Sequence, residues 1–113
     1  GKLPYDTLLA ETDPGLVTFQ MDIFWVIKGG QKPEQYFEKY PGRFQLWHVK
    51  DMDKSKVEWN TEIGEGSINF KTIFAEAKLS GMQHFFVEQE TNYSPNPTDS
   101  IKVSWEYVSK NLV

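Results

Sequence analysis

Strand-like and helix-like segments alternate along this chain of 113 residues, and that alternation limits its possible folds more than any other feature. Three short segments, rich in β-branched and aromatic residues and poor in charge, predict strands over 16–22, 44–50 and 82–88. Helices are predicted over 4–11 and 33–40, each with a proline in its first turn. The order is therefore one helix followed by three strand–helix units.

Two further helices follow from apolar spacing and from their boundary residues. One begins after Asn69, which is placed to cap it, and ends at Gly81. The other is predicted from an apolar stripe at helical spacing, with Thr98 or Asp99 as its cap. Its stripe consists of Ile101, Trp105, Val108 and Leu112.

Alternation of nearly continuous apolar strands with helices predicts an α/β protein whose strands are parallel and buried under helices. A doubly wound sheet and a closed barrel both satisfy this pattern, and periodicity does not separate them. A flavodoxin-like nucleotide binder is disfavoured, because no glycine-rich phosphate loop follows the first strand.

Composition excludes several classes of function. Aromatic residues make up 15% of the chain, which favours a packed globular protein, and the net charge of −4 disfavours a nucleic-acid partner. No cysteine is present, so disulfides and cysteine–zinc sites are excluded. No apolar run approaches the ~20 residues of a membrane span. We expect a soluble protein, cytoplasmic or periplasmic, with no membrane partner.

Polar side chains collect where the three predicted strands end. The first strand ends in Asp22, the second contains His48 and Lys50, and the third ends in Glu88 with Glu90 beyond it. In a barrel, these ends meet at the face where active sites lie. Two carboxylates and an imidazole suit a divalent metal, since the cation offsets their repulsion. The alternative is that each of these side chains is only solvated at the end of its strand. His84 lies early in its strand and is predicted to face solvent or a helix.

Four segments, taken together, resemble the sugar phosphate isomerase/epimerase family of xylose-isomerase-like barrels. They are LVTFQMDIFWV (16–26), PGRFQLWHVKDM (41–52), EIGEGSINFKTIF (62–74) and FFVEQE (85–90). The resemblance implies a partial (β/α)8 TIM barrel, namely the last three strand–helix units. Residues 1–113 would then form the C-terminal portion of such a domain, and the rest of the barrel would lie outside this chain.

The resemblance also implies a metal held by Glu, Asp, His and Glu from four strands. Asp22, His48 and Glu88 match the last three of these ligands, Glu90 is the rival of Glu88, and the first Glu would lie on an earlier strand. The expected cofactor is a divalent metal (Mn, Mg, Co or Zn) in the complete enzyme.

The implied reaction is isomerisation or epimerisation of a sugar or sugar phosphate by proton transfer next to a carbonyl. Glu88 and Lys50 are the predicted catalytic residues, Glu88 as base and Lys50 as hydrogen-bond or proton donor. Lys50, Trp25 and Glu90 are the predicted substrate-binding residues. Lys50 as a surface lysine and Trp25 as a core residue are the alternatives. The segment 62–66 is predicted to form a turn, to close over substrate, or to present backbone N–H groups to an anion.

Other functions remain open at this point. A metal-dependent keto-sugar lyase or hydrolase of the same fold is one alternative, and a noncatalytic α/β binding domain is another. A DNA-repair endonuclease of the same barrel type is disfavoured by the acidic balance and by the presence of only two histidines. The expected partners are a small-molecule sugar and either a second copy of the chain or the missing N-terminal part of the barrel, because three strands cannot close a barrel of eight.

Overall fold

The computed structural model describes residues 2–113 and has the predicted α/β character, with helices and short strands alternating along the chain. The helices are α1 (Pro4–Glu11), α2 (Ile23–Lys28), α3 (Pro33–Lys39), α4 (Phe70–Ala75), α5 (Ala77–Ser80) and α6 (Pro97–Asn111). The strands are β1 (Gln20–Asp22), β2 (Leu46–Val49), β3 (Asp51–Met52), β4 (Asn60–Thr61) and β5 (His84–Val87). None of the helices between Lys2 and Val113 combines the length and apolar character that a membrane crossing requires.

Strands β1, β2 and β5 form a parallel sheet in the order β1-β2-β5, which confirms the predicted strand direction. Asp22 pairs with His48 across β1 and β2. The N–H of Glu88 donates to the carbonyl of Val49 at 2.9 Å and so extends the β2–β5 ladder by one residue. The ends of all three strands therefore lie at one edge of the sheet. Strands β3 and β4 form a separate antiparallel pair.

The two faces of the sheet have different environments. Met21, Trp47 and Val49 point to one face and are fully buried, and the Trp47 ring stacks on Phe37 of α3 at 5.1 Å. The opposite face is open to solvent, so that Phe86 is 49% exposed. We call it the open face; its side chains are Gln20, Asp22, Leu46, His48, His84 and Phe86. His84 is exposed there, on the side away from the helices.

The first strand–helix unit has the predicted helix 33–40, which is α3, but its strand is shorter than predicted and an additional helix, α2, precedes α3. Strand β1 covers only Gln20–Asp22, because the N–H groups of Leu16 and Val17 donate to the carbonyl of Asp13 and belong to a turn. Helix α2 was not predicted. It begins immediately after β1, with Asp22 as its cap, and its two buried residues continue the apolar run of the strand.

The predicted apolar stripe of the last helix is wrong at two of its four positions. Helix α6 is capped by Asn96 rather than by Thr98 or Asp99. Its buried residues are Ser100, Ser104 and Val108, whereas Ile101 is 45% and Trp105 60% exposed. The small serines allow the helix to approach segment 62–63 closely and to exchange hydrogen bonds with it.

The helix predicted from Asn69 to Gly81 is divided at Glu76 into α4 and α5. Both predicted boundary residues are confirmed. The Asn69 side chain accepts from the N–H of Thr72, and Gly81 adopts the left-handed conformation with φ of 83°. These boundaries fix where β5 begins and therefore where Glu88 lies.

Candidate metal centre

Three groups that can bind a metal meet where the parallel strands end: Asp22 at the end of β1, His48 on β2 and Glu88 just after β5. The Nδ1 atom of His48 lies 3.0 Å from Glu88 Oε2 and 3.7 Å from Asp22 Oδ2. One ligand atom from each of the three residues lies within 4.8 Å of the other two. The structure thus brings together the three residues that the sequence singled out.

This donor set fits a divalent cation. Two carboxylate oxygens and one imidazole nitrogen suit Mn²⁺, Mg²⁺, Co²⁺ or Zn²⁺, and three protein ligands leave coordination positions for substrate or water. All three side chains are partly exposed, so an ion can reach them from solvent. Their role as ligands stays a prediction.

Lys50 follows β2 and places its ammonium group among the same carboxylates. Its Nζ atom lies 2.8 Å from Glu90 Oε1, 3.0 Å from Asp22 Oδ2 and 3.1 Å from Glu88 Oε2. Burial by itself would lower the pKa of Lys50, but its hydrogen bonds with Glu90, Asp22 and Glu88 outweigh burial and raise that pKa above its ordinary value. With only 3% of its side chain exposed, Lys50 is not the surface lysine of the alternative interpretation.

Asp22 uses its two oxygens differently. Oδ1 accepts from the N–H of Trp25 at 3.2 Å and so caps α2, while Oδ2 faces Lys50 and His48. The cap fixes the orientation of the carboxylate, because it pins one oxygen to the start of the helix. With Oδ1 held by the cap, Asp22 directs Oδ2 toward His48 and Lys50.

Gln20 is a site residue that sequence reasoning missed. Its amide nitrogen contacts Nε2 of His48, on the side of the ring opposite the carboxylates. Groups of this kind fix the ring orientation of a metal-binding histidine. Strand alternation could have identified Gln20, because it lies two residues before Asp22 and therefore on the same face.

Asn60 of β4 is a second residue that sequence reasoning missed. Its side-chain oxygen accepts from the N–H of Glu90 at 2.9 Å, and its own N–H donates to Thr91 Oγ1. These bonds fix the segment after β5, in which Glu90 contacts Lys50. Glu90 does not join the group of three potential ligands, so the geometry favours Glu88 over its rival.

The glycine-rich segment 62–66 does present backbone N–H groups to an anion, but that anion is the side chain of Asp51. The fully buried Asp51 carboxylate accepts from the N–H groups of Gly64, Gly66, Ile68 and Met52. Burial raises its pKa, against the opposing effect of these four hydrogen bonds. A Cβ atom at Gly66 would collide with this carboxylate, and Gly64 has a φ of 98°, so both positions require glycine.

Trp25 lies at the rim of the site rather than in the core. Its side chain is 53% exposed and lines an open groove of about 430 Å³ together with Gln20, Asp22 and Tyr36. A second groove of about 350 Å³, whose lining includes Glu88, Glu90 and Tyr93, lies on the β5 side of the three potential ligands. The three potential ligands thus lie between two surfaces that could contact a bound molecule.

Solved structures of similar proteins identify the barrel type. A sugar phosphate isomerase/epimerase from Parabacteroides distasonis ATCC 8503 matches with a TM-score of 0.81 and 31% identity, covering 97% of this chain and 37% of that protein. Another sugar phosphate isomerase/epimerase structure from the same organism matches with a TM-score of 0.77 and 31% identity, covering 92% and 34%. These matches confirm the predicted resemblance and the fold of a partial (β/α)8 barrel of the xylose-isomerase-like type.

The chain is also similar to a curated protein of another activity. The inosose dehydratase of Geobacillus kaustophilus (strain HTA426) is 28% identical over 125 aligned positions, covering 93% of this chain and 40% of that enzyme. No protein-family model matches the sequence. The chain spans 34% to 40% of the length of these three relatives.

Proposed function

We propose that this chain is the C-terminal portion of a metal-dependent sugar or sugar phosphate isomerase/epimerase that transfers a proton next to a carbonyl. The observation that carries the proposal is the convergence of Asp22, His48 and Glu88 at one sheet edge. The similarity to two sugar phosphate isomerase/epimerases supports the substrate class.

The residues of this chain have distinct parts in that reaction. A bound divalent metal would supply polarisation of a substrate carbonyl. Glu88, just after β5, would remove the proton. His48 and Asp22, together with Glu88, would hold the metal. Lys50, whose ammonium group lies within 3.1 Å of Glu90, Asp22 and Glu88, would act as a charged hydrogen-bond donor. Trp25 and Glu90, at the two rims, would contact the sugar.

Metal binding tests the first half of the proposal. We expect the chain to bind about one Mn²⁺ ion in equilibrium dialysis, and His48→Ala to weaken that binding by about tenfold or more, because one of the donors is lost. His84→Ala is the matched control, since His84 is an exposed histidine of the same sheet face that is not among the three potential ligands. Equal Mn²⁺ binding by the chain and by His48→Ala would contradict the proposed site.

Hydrogen exchange tests the second half. Proton transfer next to a carbonyl exchanges a C–H of a ketose substrate with solvent, so incubation in D2O with Mn²⁺ should place deuterium at that carbon, detectable by NMR. We expect Glu88→Gln to abolish the exchange. Exchange that persists in Glu88→Gln, or that is unaffected by chelation of the metal, would contradict the assigned roles.

Elimination of water is the second candidate reaction, and the similarity to an inosose dehydratase favours it. It begins with the same removal of a proton next to a carbonyl, so the same residues would serve both reactions. The products separate the two candidates. Loss of a hydroxyl group with formation of an enone absorbing in the ultraviolet would indicate elimination, whereas a new sugar of unchanged mass would indicate isomerisation or epimerisation.

A further inference from the structure

The Lys50 ammonium and the proposed metal ion need the same oxygen atoms. Asp22 Oδ2 and Glu88 Oε2 are the carboxylate oxygens nearest His48 Nδ1, and the same two atoms lie 3.0 and 3.1 Å from Lys50 Nζ. Each oxygen is therefore shared between the imidazole and the ammonium group. A cation bound by Asp22, His48 and Glu88 would enter a cluster that already holds a positive charge.

Lys50 is also the one fully buried lysine among residues 2–113, so solvent screens its charge little. Its third partner, Glu90 Oε1, is the nearest of the three at 2.8 Å and is not one of the potential ligands. Glu90 can therefore retain the ammonium when Asp22 and Glu88 turn toward another cation. Lys50 thus has one partner outside the group of potential ligands and two that it would share with a bound ion.

We propose, on the basis of the metal site proposed above, that Lys50 is a resident cation that neutralises Asp22 and Glu88 in the metal-free protein and weakens metal binding by competing for their oxygens. Two consequences of opposite sign follow. Without the ammonium charge, the metal-free protein loses stability, because two facing carboxylates lose their counterion. The affinity for a divalent cation rises, because a repelling charge is removed and the two carboxylates are released.

Calorimetric titration with Mn²⁺ tests the proposal on the whole chain and four variants. Lys50→Met and Lys50→Gln remove the charge, the second while keeping a polar group, and Lys50→Arg retains it. Lys102→Met is the matched control, because Lys102 pairs with Asp99 at 3.3 Å on the exposed side of α6. We expect both neutral variants to bind Mn²⁺ about tenfold or more tightly than the unchanged chain. Lys50→Arg and Lys102→Met should bind Mn²⁺ with the same affinity as the unchanged chain.

Thermal melting gives the second readout. The metal-free neutral variants should melt below the unchanged chain, and saturating Mn²⁺ should raise their melting temperature by more than it raises that of the unchanged chain. Lys102→Met should show neither difference.

The unchanged chain provides a third measurement that does not depend on whether the variants fold. A buried, ion-paired ammonium exchanges its protons slowly enough for its ¹⁵N-coupled NMR signal to be seen, and Lys50 is the residue expected to give it. Addition of Mg²⁺, which is diamagnetic, should shift or broaden that signal.

The outcomes separate the two proposals. If the unchanged chain binds Mn²⁺ and neither neutral variant binds it more tightly, the proposed role of Lys50 is overturned while the metal site is not. The same holds if saturation with Mg²⁺ leaves the ammonium signal of Lys50 unchanged. Absence of Mn²⁺ binding in the unchanged chain and in both neutral variants would overturn the metal site, and the role of Lys50 with it. Binding by the neutral variants alone would support the competition and show that it is complete.

Discussion

At the scale of single residues, buried carboxylates connect the site to the rest of the chain. Asp51 and Glu62 are both buried, one just after Lys50 and the other at the start of the glycine-rich segment. Glu62 accepts from Ser100 Oγ at 2.5 Å and from Thr61 Oγ1 at 3.0 Å. Burial alone would raise the pKa of Glu62, but these hydrogen bonds lower it below its ordinary value of 4.5. The ionised form is therefore the one that the fold stabilises.

Glu62→Gln should lower the free energy of unfolding at neutral pH by about 1 kcal/mol, because a charge-assisted hydrogen bond is replaced by a neutral one. Because the pKa of Glu62 is lower in the folded chain than its ordinary value of 4.5, its ionised carboxylate stabilises the fold above pH 4.5. That stabilisation is lost as the pH falls through the pKa of the folded chain. The difference between the two proteins should therefore shrink below pH 4.5. Urea unfolding across this range measures it, with the exposed Glu65→Gln as control. A gap that widens in acid would contradict the assignment.

At the scale of elements, α6 is attached by hydrogen bonds of two buried serines in addition to the packing of Val108 in the core. Ser100 Oγ donates to Glu62 and accepts from the N–H of Ser94, while Ser104 Oγ accepts from the N–H of Ile63 at 3.0 Å. Both serines are buried. The helix thereby holds segment 62–66, and that segment in turn holds Asp51, the residue next to Lys50.

Ser104→Ala should lower the free energy of unfolding by about 1–2 kcal/mol, because the buried N–H of Ile63 loses its acceptor. Ser109→Ala is the matched control, since Ser109 lies on the exposed side of the same helix. Thermal or urea unfolding measures both variants. Equal stability of Ser104→Ala and Ser109→Ala would mean that the bond to Ile63 contributes nothing to the attachment of α6.

At the scale of the whole molecule, the sheet has two unpaired edges and one open face. Within residues 2–113, β1 and β5 each have only β2 as a neighbour in the sheet. The open face exposes half of Phe86, and α6 exposes Trp105. At about 25 cal/mol per Å², a few hundred Å² of such apolar surface corresponds to several kcal/mol, which is comparable with the stability of a small domain.

We expect the isolated chain to self-associate through its open face and sheet edges, or to require the rest of a barrel. Phe86→Ser should weaken the association, because it removes the largest exposed apolar side chain of that face. Val57→Ser is the control, since Val57 is half-exposed but lies outside the sheet. Analytical ultracentrifugation over a range of concentrations measures the effect. A monomer at every concentration, with a cooperative melt, would contradict this expectation.

The sequence by itself determined the alternation of three strands with helices, the parallel direction of those strands and which three side chains meet at one sheet edge, but not α2 or the pair β3–β4. Apolar periodicity and boundary residues such as Asn69 and Gly81 are local properties, and they decide where helices begin and end. Side chains at the ends of parallel strands share one sheet edge whatever the rest of the fold does. Asp22, His48 and Glu88 could therefore be grouped without coordinates.

Only the tertiary structure decided what those residues contact. The burial of Lys50 among three carboxylates depends on distances across β1, β2 and β5 that no spacing along the chain specifies. In helix α6, likewise, Ser104 faces inward and Trp105 outward, although the apolar spacing predicts the opposite for Trp105. The hydrogen bonds of Ser100 and Ser104 with segment 62–63 set this rotation of the helix about its axis. Local pattern predicts which residues are able to form a core, and the contacts between elements decide which of them do.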